Sequence, residues 1–174
     1  VSSNTKVVAD RFDNYKMRLF RFKGIAVIQK GAYPQALSVF QQYAVIAEKI
    51  GSIQDIGNSY TYIGYCHRAM EDIPLAFQYA KKSVQLLKDT PYKAALANNY
   101  TTYSSYYSTI RDNLDSALIY AKLARQLYKE ANNPVNEAIT TFDIAENFNL
   151  LYQADSAIYY VNQAKPFVLS QKNN

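Results

Sequence analysis

The sequence predicts an all-α fold in which four helix hairpins stack into an α-solenoid. Three observations carry that prediction. Two segments, DSALIYAKLA at 115–124 and DSAIYYVNQA at 155–164, nearly repeat each other 40 residues apart. Alanines equivalent to Ala117 stand at Ala36, Ala76 and Ala157, at intervals of 40, 41 and 40. Five glycines and five prolines in 174 residues are too few for an all-β chain full of tight turns. An apolar fraction of 49% excludes wholesale disorder, and the length suffices for one substantial core.

Each anchor alanine opens a helix. One residue on stand Leu37, Phe77, Leu118 and Ile158; four on, Phe40, Ala80, Ala121 and Val161; eleven on, Ala47, Leu87, Tyr128 and Val168. These offsets trace one buried stripe of an α-helix. Two residues before the anchors are Pro34, Pro74, Asp115 and Asp155. Proline suits a first turn that needs no N–H partner, and aspartate suits the positive end of the helix dipole.

A second helix precedes each anchor. Gly24 and Gly64 stand twelve residues before Ala36 and Ala76, Ala145 twelve before Ala157, and Ser104 thirteen before Ala117. The odd interval places an extra residue in the loop at 109–113. Around these small residues are Phe20 and Val27, then Tyr60, Ile63 and His67, then Tyr100, Tyr103 and Tyr107, then Ile144 and Phe148. Large–small–large along one face lets a neighbouring helix approach closely at the small position. Ser52 with Asp55, Thr90-Pro91 and Asn133-Pro134 punctuate three of the starts.

In order, the expected helices are 14–30, 34–50, 53–70, 74–89, 91–110, 115–131, 134–151 and 155–169. They group into repeats at 14–51, 52–90, 91–132 and 133–169, after an extension or remnant at 1–13 and before a polar tail at 170–174. Connections this short make neighbours antiparallel. One hairpin cannot bury its own apolar face, so the stack is the folding unit.

Charge is concentrated at one end. Residues 1–30 hold seven basic residues against Asp10 and Asp13, a net +5, and the other 144 residues balance to zero. Lys16, Lys23 and Lys30 recur every seven residues as one stripe, read as a solvated face. A nucleic-acid reader would carry a more extended basic surface. No apolar run reaches the roughly 18 residues of a membrane span, which predicts a soluble domain, cytoplasmic or periplasmic. Starting at Val1, the chain reads as a processed or truncated piece of a longer protein.

Catalytic groups are sparse. Cys66 is the only cysteine, which excludes an internal disulfide or a multi-cysteine zinc site, and His67 is the only histidine. His67 falls on a core position, and adjacent helical residues do not face each other, so a Cys–His dyad is not expected. There is no Gly-rich phosphate loop, metal-ligand spacing or paired-carboxylate motif. The expectation is a non-enzyme with no cofactor and no metal.

The segment KGAYPQAL at 30–37, with Phe20, Gly24, Val27, Gly31, Tyr33, Ala36 and Phe40 around it, resembles the tetratricopeptide repeat family. Tyr60, Ile63, Gly64, Ile73, Ala76 and Ala80 continue the pattern, and the resemblance covers 16–169. Repeats of 40 to 41 residues resemble the long-repeat branches, the kinesin light chains and the bacterial peptide-pheromone receptors. Two features depart from the family: Lys23 stands where an aliphatic residue is expected, and no polar capping helix follows the last repeat.

The resemblance implies a right-handed α-α superhelix whose concave groove, lined by the first helix of each hairpin, holds a protein or peptide segment. Its groove spacing selects Arg18, Arg21, Phe22 and Ile25 in the first hairpin and Asn58, Thr61, Tyr62, Tyr65 and Arg68 in the second. In the third it selects Asn98, Thr101, Thr102 and Ser105, and in the fourth Phe142, Asp143, Glu146 and Asn149. Asn58 and Asn98 lie 40 residues apart, and a carboxamide complements a peptide group. Tyr62 and Tyr65 would be rigid amphipathic contacts. The family's chaperone-tail clamp is absent, since Arg21, Ile25, Tyr62 and Thr102 stand at its positions. The resemblance further suggests the sensory or interaction part of a larger bacterial regulator. Two alternatives stay open: self-association through the solenoid ends, motivated by the uncapped last repeat, Phe22 and Ile25, and nucleic-acid binding through the basic first helix, which steep salt dependence would reveal.

Overall fold

The computed structural model describes residues 2–110 and 113–170, with side chains for 11–110, 113–167 and 169. Among the described residues there are eight helices and no strand: α1 (Ser2–Gln29), α2 (Tyr33–Ile50), α3 (Ile53–Ala69), α4 (Ile73–Leu87), α5 (Lys93–Ile110), α6 (Leu114–Glu130), α7 (Pro134–Leu150) and α8 (Ala154–Ser170). The chain divides into two compact units, 1–89 and 90–174, each of two antiparallel hairpins. In each unit consecutive helices pack in order.

Helix α1 corrects the expected start at 14, because it runs unbroken from Ser2. Residues 1–13 have no repeat partner, so periodicity could not detect a helix there, yet from Ser2 onward the backbone is continuous with α1. The expected start of α5 at 91 moves to Lys93: Thr90 Oγ1 accepts the Tyr92 N–H at 3.4 Å in a turn ahead of the helix. Arg111 and Asp112, in the loop expected to hold an extra residue, lie outside the described residues, as does the tail beyond Ser170.

In the first unit the core gathers Met17, Ala36, Phe40, Tyr43, Ala47, Ile63 and Cys66. The small positions do what their spacing predicts. A Cβ added at Gly24 would lie 2.4 Å from the Phe40 ring, and one at Gly64 would lie 3.2 Å from the Ala76 carbonyl oxygen. Gly57, which the repeat pattern does not single out, is equally tight, with Leu87 at 2.6 Å from such a Cβ. At the start of α3, Ser52 Oγ accepts the Asp55 N–H at 3.3 Å and donates to Asp55 Oδ2 at 2.6 Å. The other Asp55 oxygen accepts the buried Tyr43 hydroxyl at 2.5 Å, tying this cap to α2.

In the second unit Leu118, Ala121, Ile144 and Phe148 form one cluster and Ala97, Ala124 and Tyr128 another. Buried Asn147 of α7 is satisfied by α5: its Nδ2 donates to Ser104 Oγ at 3.3 Å and its Oδ1 accepts from the Ser108 hydroxyl.

The tyrosine three residues past the anchor has a consistent place. Tyr79 meets Tyr60 and stacks on His67, Tyr120 meets Tyr100, Tyr103 and Tyr107, and Tyr160 stacks on Phe148. Each ring joins the two helices of one hairpin, burying an apolar face while its hydroxyl can reach water.

Backbone geometry repeats as well. Gly31, Glu71 and Tyr152, each five residues before an anchor, take left-handed φ values of 71°, 63° and 59°. Glycine accepts this conformation freely, whereas an L side chain pays about 1–2 kcal/mol. Tyr152 is 96% exposed, so replacing it removes no packing. Tyr152→Gly is expected to gain about 0.5–1 kcal/mol, after roughly 0.5–1 kcal/mol is lost to the freer unfolded chain. Thermal unfolding checks this, and a lowered Tm would contradict it.

Candidate functional site

In the first unit the expected contacts sit on α1 and α3. Arg18 is exposed, and Arg21 is half-buried with its guanidinium 5.1 Å from the Phe22 ring centre. Asn58, Tyr62, Tyr65 and Arg68 are half-buried along α3. Tyr62 stacks on Phe40, with centroids 4.5 Å apart and planes 8° from parallel. Burial raises its phenol above the usual range, and the nearby Arg21 charge partly offsets this. Tyr65 meets Tyr33 edge-on at 6.4 Å and carries the Arg68 guanidinium 5.5 Å from its ring centre. Tyr62 is therefore largely a packing group, whereas Tyr65 and Arg68 form a cation–aromatic pair on the surface.

Thr61 is placed differently from the expectation. It is buried, with its hydroxyl 3.1 Å from the Gly57 carbonyl and 2.9 Å from Ser83 Oγ. The same holds for Thr101 and Thr102 in the second unit, both buried and donating to the carbonyls of Ala97 and Asn98 at 3.1 and 3.2 Å. A threonine that satisfies its hydroxyl on its own helix can enter a helix–helix interface like a small apolar residue. These three side chains are not available to a ligand.

Elsewhere in the second unit, half-buried Asn98 accepts a hydrogen bond from the Tyr128 hydroxyl, so one side of its carboxamide is committed. Half-buried Ser105 donates to the Thr101 carbonyl at 3.0 Å. Asp143 is half-buried, while Glu146 and Asn149 are exposed. Glu146 and Asn149 edge a crease of about 300 Å³ between α7 and α8, floored by Phe142, Ala145, Ala157, Ile158 and Val161. This crease corrects the reading of the last helix. Ile158 and Val161 were expected on a buried stripe, yet they are 60% and 41% exposed, because among the described residues no further helix packs onto them. Val168, on the same stripe, lies outside the described side chains.

His67 and Cys66 behave as packing groups. The imidazole stacks on Tyr79 at 5.6 Å, and its Nδ1 is 3.4 Å from the Asp72 carboxylate without hydrogen-bond alignment. Cys66 is fully buried, and burial pushes its thiol up to about 11, far from the thiolate needed for nucleophilic attack. Among the described residues no three His, Cys, Asp or Glu side chains cluster to hold a metal. Among them, too, no helix is long and apolar enough to cross a membrane.

No protein-family model and no curated protein matches the sequence. Solved structures do match the fold. BtubC (BKLC) from P. vanneervenii superposes with a TM-score of 0.71 at 11% identity, over 91% of this chain and 65% of that one. A kinesin light chain from Podosopora anserina, built of nearly identical TPR-like repeats, superposes at 0.64 and 12% identity over 92% of this chain and 76% of that one. The fold is a TPR-like all-α helical repeat. The chain spans about two thirds (65%) of the length of BtubC, and at this identity the likeness is one of fold.

Proposed function

We propose that this chain is a protein- or peptide-binding TPR-like scaffold, acting as the interaction part of a larger regulatory protein of bacterial type. The observation that carries this reading is the surface of α3, where half-buried Asn58, Tyr65 and Arg68 follow one another along one side of the helix. An amide, an aromatic ring and a guanidinium set over that ring form the contact chemistry that recognises an extended segment. Asn98, Ser105, Asp143, Glu146 and Asn149 are the corresponding candidates in the second unit. The stacked His67 and the neutral, buried Cys66 favour binding over catalysis. Long repeats and the Tyr- and Asn-rich helices support the regulatory placement.

The test compares the wild type with Asn58→Ala/Tyr65→Ala/Arg68→Ala in affinity capture from cell lysate, followed by measured affinity for each captured partner. Hot-spot tyrosines and arginines cost about 1–2 kcal/mol or more each on truncation, so a loss of at least roughly tenfold is expected. Unchanged affinity, with both proteins equally folded by circular dichroism, would overturn the reading.

A further inference from the structure

We propose that copies of this chain associate head to tail, with Phe22 of one copy seated in the α7–α8 crease of another. The repeat supplies the template. The lining residues Phe142, Ala145, Glu146, Ala157, Ile158 and Val161 are each 121 positions after Arg21, Gly24, Ile25, Ala36, Leu37 and Phe40. In the first hairpin that crease is filled. Tyr62, from the first helix of the next hairpin, stacks on Phe40 and packs in one cluster with Ile25 and Leu37. Among the described residues the equivalent crease in the fourth hairpin is open, with the Phe40 equivalent, Val161, exposed. Its complement is an aromatic residue at the Tyr62 position of a helix like α3.

This chain carries that complement at its other end. Phe22 lies 40 positions before Tyr62 and is 55% exposed. It belongs to a stripe with Phe12, Tyr15 and Leu19, all between 64% and 70% exposed, on the side of α1 opposite buried Met17 and Gly24. The Leu19 equivalents in α3 and α7, Ser59 and Thr140, are 0% and 2% exposed. A face that is small and covered within the repeat is thus large, apolar and open on α1. Four aligned apolar side chains at this exposure mark an interaction surface.

Charge selects a second copy over an arbitrary apolar helix. The stripe is flanked by Arg11 and Arg18 on one side and by Lys16 and Lys23 on the other, all exposed. The last hairpin carries Glu137, Asp143, Glu146 and Asp155 against Lys165 alone, a net −3 over 134–170. Glu146 stands on the crease rim, where Arg18 or Arg21 of the incoming copy would face it. Such a contact is heterologous, so a pair of copies keeps one free α1 face and one free crease, and further copies can add.

Sedimentation velocity on the whole chain, from about 1 μM to about 1 mM to bracket a small interface, tests the proposal. The wild type is expected to grow with concentration past the dimer. Phe22→Ala and Val161→Lys each alter an exposed residue and are each expected to remain monomeric, with circular dichroism unchanged. An equimolar mixture of the two variants is expected to form a heterodimer and nothing larger, because each retains the end the other has lost. A monomeric wild type throughout, association that either variant leaves intact, or a mixture that stays monomeric would overturn the proposal. So would a wild type that stays monomeric while its α1 binds anionic lipid vesicles, since the stripe would then be a membrane-surface face.

Discussion

Phe40→Ala is expected to lower the stability of the first unit by about 3–5 kcal/mol, the range for an aromatic removed from a closed core. The ring is fully buried, lies over Gly24 on one helix and stacks on Tyr62 of another, so its loss opens a cavity that three helices border. Relaxation is limited because α1 already approaches as near as a glycine permits. In urea unfolding this corresponds to a midpoint lower by roughly 2 M, for an m value near 2 kcal/mol/M. The reciprocal variant, Gly24→Ala, introduces a better helix former yet is expected to destabilise by about 1–3 kcal/mol, since its Cβ would overlap the Phe40 ring. Combined with Phe40→Leu the two changes should be less than additive, because they share one contact. A loss under about 1 kcal/mol for Phe40→Ala would mean that the hairpin closes over the gap.

How much of this was legible in the sequence depends on whether a residue reports its neighbours or only its own helix. Ala36, Ala76 and Ala117 recur because two helices meet there, and all three are fully buried. Gly24 and Gly64 were legible for the same reason. Ala157 has the identical spacing but is only half-buried, because spacing encodes the face a residue occupies and not whether something covers it. Ile158 and Val161 fail the expectation on that ground. The three threonines fail on another: a hydroxyl that closes onto the carbonyl four residues back leaves no mark in the sequence, so Thr61, Thr101 and Thr102 read as polar surface. Residues 2–13 extend α1 without any periodic signal to announce it.

Alkaline pH is expected to unfold the protein from pH 9 upward, most steeply between pH 10 and 11. Buried Cys66 and Tyr43 and half-buried Tyr103 contribute most. Burial raises Cys66 from its ordinary 9.0 to about 11. Burial also lifts Tyr43 well above its ordinary 10.0, helped by the hydrogen bond to Asp55 and by that carboxylate's charge. Tyr103 is raised first by burial and then by Tyr120, Tyr100 and Tyr107 around it. In each case the fold favours the protonated, neutral form. Below pH 9 both folded and unfolded chains hold all three protons, so these groups add no pH dependence. Above 9.0 the unfolded chain releases the Cys66 proton while the folded chain retains it. The folded state then binds more protons and stability falls with rising pH, by about 1.4 kcal/mol per pH unit for each such group. From 10.0 the two tyrosines add slopes of the same sign, so the loss approaches about 4 kcal/mol per pH unit, against a total stability of about 5–15 kcal/mol for a domain. Cys66→Ala should flatten the curve between pH 9 and 10, and Tyr43→Phe and Tyr103→Phe should flatten it between 10 and 11, whatever each does to stability at neutral pH. Denaturant midpoints that stay level from pH 8 to 11 in the wild type would mean that the folded chain lets these protons go as easily as the unfolded one, and that the interior around Tyr43 and Cys66 is wet.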